Sequence, residues 1–171
     1  RSTVAVGTVP IYQAAVAARR AGRGMVHMTG DDMLGAVREH AEDGVDFVTV
    51  HCGVTLEVAA HARRSPRLAD VVSRGGAFLM EWMAYNAREN PLYERFDDLL
   101  GIAAEHDVAL SLGDGMRPGA LADANDQAQI AELTVISELV ERARAANVQV
   151  IVEGPGHVPL HLVKASVELQ K

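Results

Sequence analysis

Glu153 and His157 lie four residues apart, separated by Gly154, Pro155 and Gly156. The carboxylate could act as a general acid or base, or accept hydrogen bonds from a ligand hydroxyl or amine. It could equally bond the neighbouring turn amides. The imidazole is a candidate metal ligand. His161 follows at helical spacing, but Pro159 intervenes and no second acidic ligand is near. A site completed by a distant histidine therefore fits better than a local pair. Ser73-Arg74-Gly75-Gly76 offers a hydroxyl, a forked cation and two glycines whose backbone N–H groups could approach an oxyanion. The same tetrapeptide could be a capped helix start with an exposed arginine. Asp114-Gly115-Met116-Arg117 places a carboxylate and a guanidinium three residues apart across a glycine. They could clamp a polar ligand or pair with each other. His51 and Cys52 stand together after another apolar run, and Tyr12 follows Pro10.

The elements that must carry these residues alternate. Short strands are predicted at residues 3–9, 45–50, 71–72, 108–112 and 148–152 from their β-branched, apolar runs. Helices are predicted over 14–21, from Thr29 to a stop at Gly44, and over 55–64, 77–89 and 93–106. A long helix capped by Asp126 runs to about residue 146, and a last helix opens after Pro159. The basic run Arg63-Arg64-Ser65-Pro66-Arg67 reads as a solvated loop. His27, His40, His61 and His106 read as surface residues, and Met80, Trp82 and Met83 as helix packing.

This β-α-β-α order is the pattern of a parallel sheet covered by helices. The fold class is therefore α/β. The five expected strands could form an open doubly wound sheet or an incomplete arc of a (β/α)8 barrel, since a whole barrel takes about 250 residues. Parallel strands share one polarity, so the polar residues after each strand should converge on one rim. Closing loops requires turn residues, not Arg, His and Glu.

The 171 residues suffice for one domain with a real core. With 49% hydrophobic and 23% charged residues, the composition is that of an ordinary globular chain. A net charge of -7 argues against non-specific binding to nucleic acid or to anionic membranes. No apolar run approaches the ~20 residues of a membrane span. Cys52 is the sole cysteine, which excludes an internal disulfide and fits a reducing, cytoplasmic setting. The chain begins at Arg1 rather than Met, and is expected to be a piece of a longer protein.

Residues 6–13, 44–55, 72–76, 89–93, 111–119, 122–126 and 152–159 resemble, in order and spacing, the phosphomethylpyrimidine synthase family of thiamine biosynthesis. The resemblance covers nearly the whole chain. It implies a (β/α)8 barrel, a homodimer, an electron donor and radical S-adenosylmethionine chemistry at a [4Fe-4S] cluster on a C-terminal segment. The implied reaction turns 5-aminoimidazole ribonucleotide into 4-amino-5-hydroxymethyl-2-methylpyrimidine phosphate. Formate and carbon monoxide are released, and S-adenosylmethionine is split to methionine and a 5′-deoxyadenosyl radical.

Carried over by motif, the resemblance implies substrate binding by Tyr12, His51, Ser73, Arg74, Gly75, Asp114, Gly115, Met116, Arg117 and Glu153. Glu153 is the expected catalytic group, and His157 one of two zinc histidines. Cys52 does not match the family's three cluster cysteines. The N-terminal region, the cluster domain and the second zinc histidine are expected outside this chain, which reads as a single catalytic-barrel fragment over residues 1–171. Two other readings stand: 5-hydroxybenzimidazole synthase of anaerobic cobamide synthesis, with similar motifs and the same ribotide, and a non-catalytic ribotide- or phosphate-binding α/β domain.

Overall fold

The computed structural model describes residues 2–154 and 156–170. Four strands form one fully parallel sheet in the order β1 (Gly7–Thr8), β2 (Phe47–Val50), β3 (Ala109–Leu112) and β4 (Val150–Val152). Spatial order equals chain order. Right-handed crossovers between strands laid down in sequence carry the connecting helices to one face. A doubly wound sheet needs a reversal of strand order, and this sheet has none. The architecture is that of an arc of a (β/α)8 barrel.

The helices are α1 (Pro10–Arg20), α2 (Gly30–Glu42), α3 (Leu56–Arg64), α4 (Arg74–Asn86), α5 (Pro91–Glu94), α6 (Phe96–His106), α7 (Gln127–Ala145) and α8 (Leu160–Leu169). Their starts are written locally. Thr29 accepts the Asp32 N–H while the Asp32 carboxylate accepts the Thr29 N–H, a capping box. Thr55, Ser73 and Asp126 cap α3, α4 and α7. Proline in the first turn opens α1 and α5.

Alternation along the strands splits the sheet into two unlike faces. Val48, Val50, Leu110 and Leu112 are buried, in one core with Met33, Val37, Phe96, Leu99, Ile136 and Leu139 of the helices. Thr49, His51, Ser111 and Glu153 alternate with them and share the opposite face with Ile151, which is 47% exposed. In a barrel that face is the interior.

Three expectations are corrected. The first strand, expected over 3–9, is Gly7–Thr8. Residues 71–72 form no strand, so the sheet has four strands among the described residues rather than five. β2 already pairs with β1 and β3, and the chain between β2 and β3 has no place between them. Its donors go to side chains instead: Leu68 and Ala69 N–H to the Asp123 carboxylate, and Val71 N–H to Asp70. Finally, Arg67 is not a solvated tip residue. Its side chain is 2% exposed, forked onto Asp126 at 2.7 and 2.8 Å.

Candidate functional site

Val50, Leu112 and Val152 are level across the sheet, so His51, Gly113 and Glu153 begin one shared rim. Glu153 Oε1 accepts the Ser111 hydroxyl at 3.3 Å and the Thr49 hydroxyl at 3.4 Å. The carboxylate is thus held over the sheet's polar face rather than by the turn that follows it.

The buried His51 ring lies over Gly113, with Nε2 3.3 Å from Ser73 Oγ. A Cβ on Gly75 would collide with this ring, so glycine is required for the first turn of α4 to approach it. Burial pushes the imidazole down to about 4, and the nearby Glu153 charge opposes that shift. His51 is therefore neutral at physiological pH, and its Nδ1 has no hydrogen-bond partner among the described residues. Asn90, fully buried, fixes the strand end by donating to the carbonyls of His51 and Val54 at 3.0 Å each.

Ser73 caps α4 by accepting the Gly76 N–H at 3.2 Å. The positive end of this 13-residue helix therefore opens beside His51. Arg74 is exposed, with its guanidinium 5.5 Å from the Tyr12 ring centroid. Tyr12 meets Phe78 edge-on. Tyr12, His51, Ser73, Arg74 and Gly75 are thus one neighbourhood, although no strand precedes Ser73.

Asp114 and Arg117 pair at 3.0 Å. Burial pushes the Asp114 carboxyl up, with the Arg117 guanidinium opposing. Gly156 packs against the second Asp114 oxygen, where a Cβ would collide. Gly76 likewise abuts Gly115. The Met116 side chain is fully buried, its N–H donates to Glu132 and its carbonyl accepts from Arg67. Met116 therefore serves the shape of the turn, with its side chain turned away into the core.

His157 has φ +58°, in the left-handed region. Its Nδ1 is 2.8 Å from the Pro118 carbonyl, which makes Nδ1 the N–H donor and leaves the Nε2 lone pair outward. This orientation suits a single metal ligand. Among the described residues, no cluster of three or more His, Cys, Asp or Glu side chains could hold a metal ion. Cys52 is fully buried, and burial pushes its thiol far up, which does not suit a cluster ligand. Pro155 lies outside the described residues.

Sequence reasoning missed three residues here. Asn90, Glu132 and the Arg67 side chain are buried, yet each bonds backbone of the rim. Asn90 carried a signal as a cap before Pro91. Arg67 sat in a basic run and Glu132 within an ordinary helix, so neither stood out. His40 also departs from expectation. Both of its ring nitrogens are held, by Thr8 and Gln13 at 2.7 Å each, beneath the sheet's edge.

The sequence matches the family described as the Radical SAM ThiC family over residues 1–171. It is 60% identical to a phosphomethylpyrimidine synthase of Moorella thermoacetica over 171 residues, which are 100% of this chain and 40% of that protein. It is 60% identical to one of Dehalococcoides mccartyi over 166 residues, 97% of this chain and 38% of that protein. It is 58% identical to one of Methanopyrus kandleri over 168 residues, 98% of this chain and 39% of that protein. The chain thus spans about two fifths of the length of the curated relatives it matches. A family match over its full length, on a rim where the motif residues converge, means that this chain belongs to the Radical SAM ThiC family.

Proposed function

We propose that this chain is the substrate-holding arc of a phosphomethylpyrimidine synthase. The reaction is the rearrangement of 5-aminoimidazole ribonucleotide to 4-amino-5-hydroxymethyl-2-methylpyrimidine phosphate, with formate and carbon monoxide released. One observation carries the reading: His51 with Ser73, the Asp114–Arg117 pair and Glu153 meet on one rim of a parallel sheet, within a chain that matches the family throughout.

Each residue then has a role that its surroundings support. The ribotide phosphate sits at the first turn of α4, held by Arg74, by Ser73 and by backbone N–H groups beside Gly75. Tyr12 keeps the exposed Arg74 guanidinium in place. Neutral His51 and the backbone around Gly115 and Met116 shape the pocket floor. Asp114 and Arg117 bond the ligand's polar groups from one side. Glu153, fixed by two hydroxyls, accepts or returns a proton at its carboxylate oxygen.

His157 would offer Nε2 to zinc, with a second histidine elsewhere in the parent protein. S-adenosylmethionine and a [4Fe-4S] cluster supply the radical when bound, but the residues described here do not fit the cluster. We assign its ligands to the rest of the parent protein, together with the electron donor's contact. A cytoplasmic homodimer completes this reading, and the use of a single cysteine agrees with a reducing compartment.

The test is product analysis of the full-length parent protein, incubated anaerobically with 5-aminoimidazole ribonucleotide, S-adenosylmethionine and a reductant. A pyrimidine phosphate by mass supports the proposal. A hydroxybenzimidazole would move the protein to cobamide synthesis. Ribotide binding without any turnover would leave a binding domain. The 171-residue chain alone is expected to release no 5′-deoxyadenosine.

A further inference from the structure

Glu132 is a buried acid that the proposed reaction leaves unused. It lies within α7, 2% exposed, beneath the turn that carries Asp114 and Arg117. Its Oε2 accepts the Met116 N–H at 2.7 Å. Its Oε1 is buried with no hydrogen-bond partner among the described residues, and a Cβ on Gly115 would stand 2.9 Å from it. Beside it is a cavity of about 20 Å³, lined among others by Asp114, Gln129, Glu132 and Glu153. That volume admits one water molecule.

A carboxylate here would share the cavity lining with two other acids, Asp114 and Glu153. Arg67, behind Met116, is spent on Asp126 and on the Met116 carbonyl. Burial pushes the Glu132 carboxyl up to about 8, and the Asp114 charge pushes the same way, against the Met116 and Gly115 N–H groups and Arg67.

We infer that Glu132 is a positioning residue held as a neutral acid. One oxygen accepts the Met116 N–H; the other carries the proton toward the cavity shared with Asp114 and Glu153. The Asp114–Arg117 turn thereby keeps its ligand-facing shape. This inference rests on the proposed function for the identity of the ligand, not for the state of Glu132.

Glu132→Gln keeps an acceptor for Met116 and a donor toward the cavity but cannot ionise. In the full-length protein, calorimetry with 5-aminoimidazole ribonucleotide at pH 7 should give a Kd for Glu132→Gln within about twofold of the unmodified protein. Glu132→Ala should weaken binding about tenfold or more, because the buried Met116 N–H loses its acceptor. Above pH 8 the unmodified protein should lose affinity by up to about tenfold per pH unit, the slope of one proton, while Glu132→Gln stays flat. Equal weakening by Gln and Ala, or the same alkaline limb in Glu132→Gln, would overturn the inference. Infrared difference spectra read the proton without any ligand. A protonated-carboxyl C=O band should be lost on titration near pH 8 and missing in Glu132→Gln. Lack of that band at pH 6 would overturn the inference even if the ribotide binds. Failure of the unmodified protein to bind ribotide, with the band present, would instead sink the proposed function.

Discussion

β2, β3 and β4 are each entered from a helix that ends in the same turn. Gly44, Asp107 and Asn147 take left-handed φ values of +80°, +54° and +55°. Val45, Val108 and Val148 then donate their N–H groups to the carbonyls of His40, Ala103 and Ala143 at 3.4, 3.0 and 2.9 Å. This is the Schellman pattern, followed each time by an apolar residue. The opposite end of the sheet is built otherwise. There the loops run long, and distant side chains hold them: Arg67 on Asp126, Asp123 on Leu68 and Ala69, Asn90 on His51, Glu132 on Met116. One end closes with residues adjacent in sequence, so it needs no buried polar groups. The other buries polar groups that satisfy one another over long separations, and it is there that a ligand's polar atoms could also be met.

The sharpest test of this contrast is Arg67→Ala. It leaves the largely buried Asp126 without its partner and should cost about 3–5 kcal/mol in urea unfolding. It should also loosen the Met116 turn and weaken ribotide binding in the full-length protein. A loss under 1 kcal/mol would show that the rim is not held by this pair.

Acid should act on the rim too. His51 is kept neutral in the fold with its imidazole near 4, below the usual 6.5. Its contribution is full above pH 6.5 and is lost as pH falls toward 4, because only the unfolded chain takes the proton readily in that window. Stability measured from pH 7 to pH 4 should show this limb, and His51→Gln should flatten it. An identical limb in the variant would assign it to other groups.

Gly75→Ala drives a methyl into the His51 ring and should cost about 1–3 kcal/mol, with ribotide affinity lost out of proportion. Normal affinity would separate His51 from the binding site. At the other end, Asn147→Ala should cost only about 1 kcal/mol through its left-handed φ, and Asn147→Gly close to nothing. Neither should change ribotide binding; if either did, the two ends would not be independent.

Much of this was legible in the chain itself. The Thr29 and Asp126 caps and the alternation of strands and helices appeared where local chemistry placed them. The Asp114–Arg117 pair formed between residues only three apart. Ser73 is at once a cap and part of the rim, so the two readings of its tetrapeptide were not exclusive. Residues 71–72 misled because two valines favour a strand wherever they stand, yet a strand also needs a free neighbour.

What the sequence determined by itself was local: where helices start and stop, which runs are apolar, and which motifs relate the chain to its family. Those depend on contacts within a few residues and on pattern. What only the tertiary structure decided was the environment of buried polar groups. Arg67 is a clamp rather than a solvated arginine, and Glu132 a buried acid rather than a helix-face glutamate, because partners 59 and 16 residues away remove each from water. Burial and long-range pairing set the charge and the role of such groups, and neither is encoded in the residue's own neighbours along the chain.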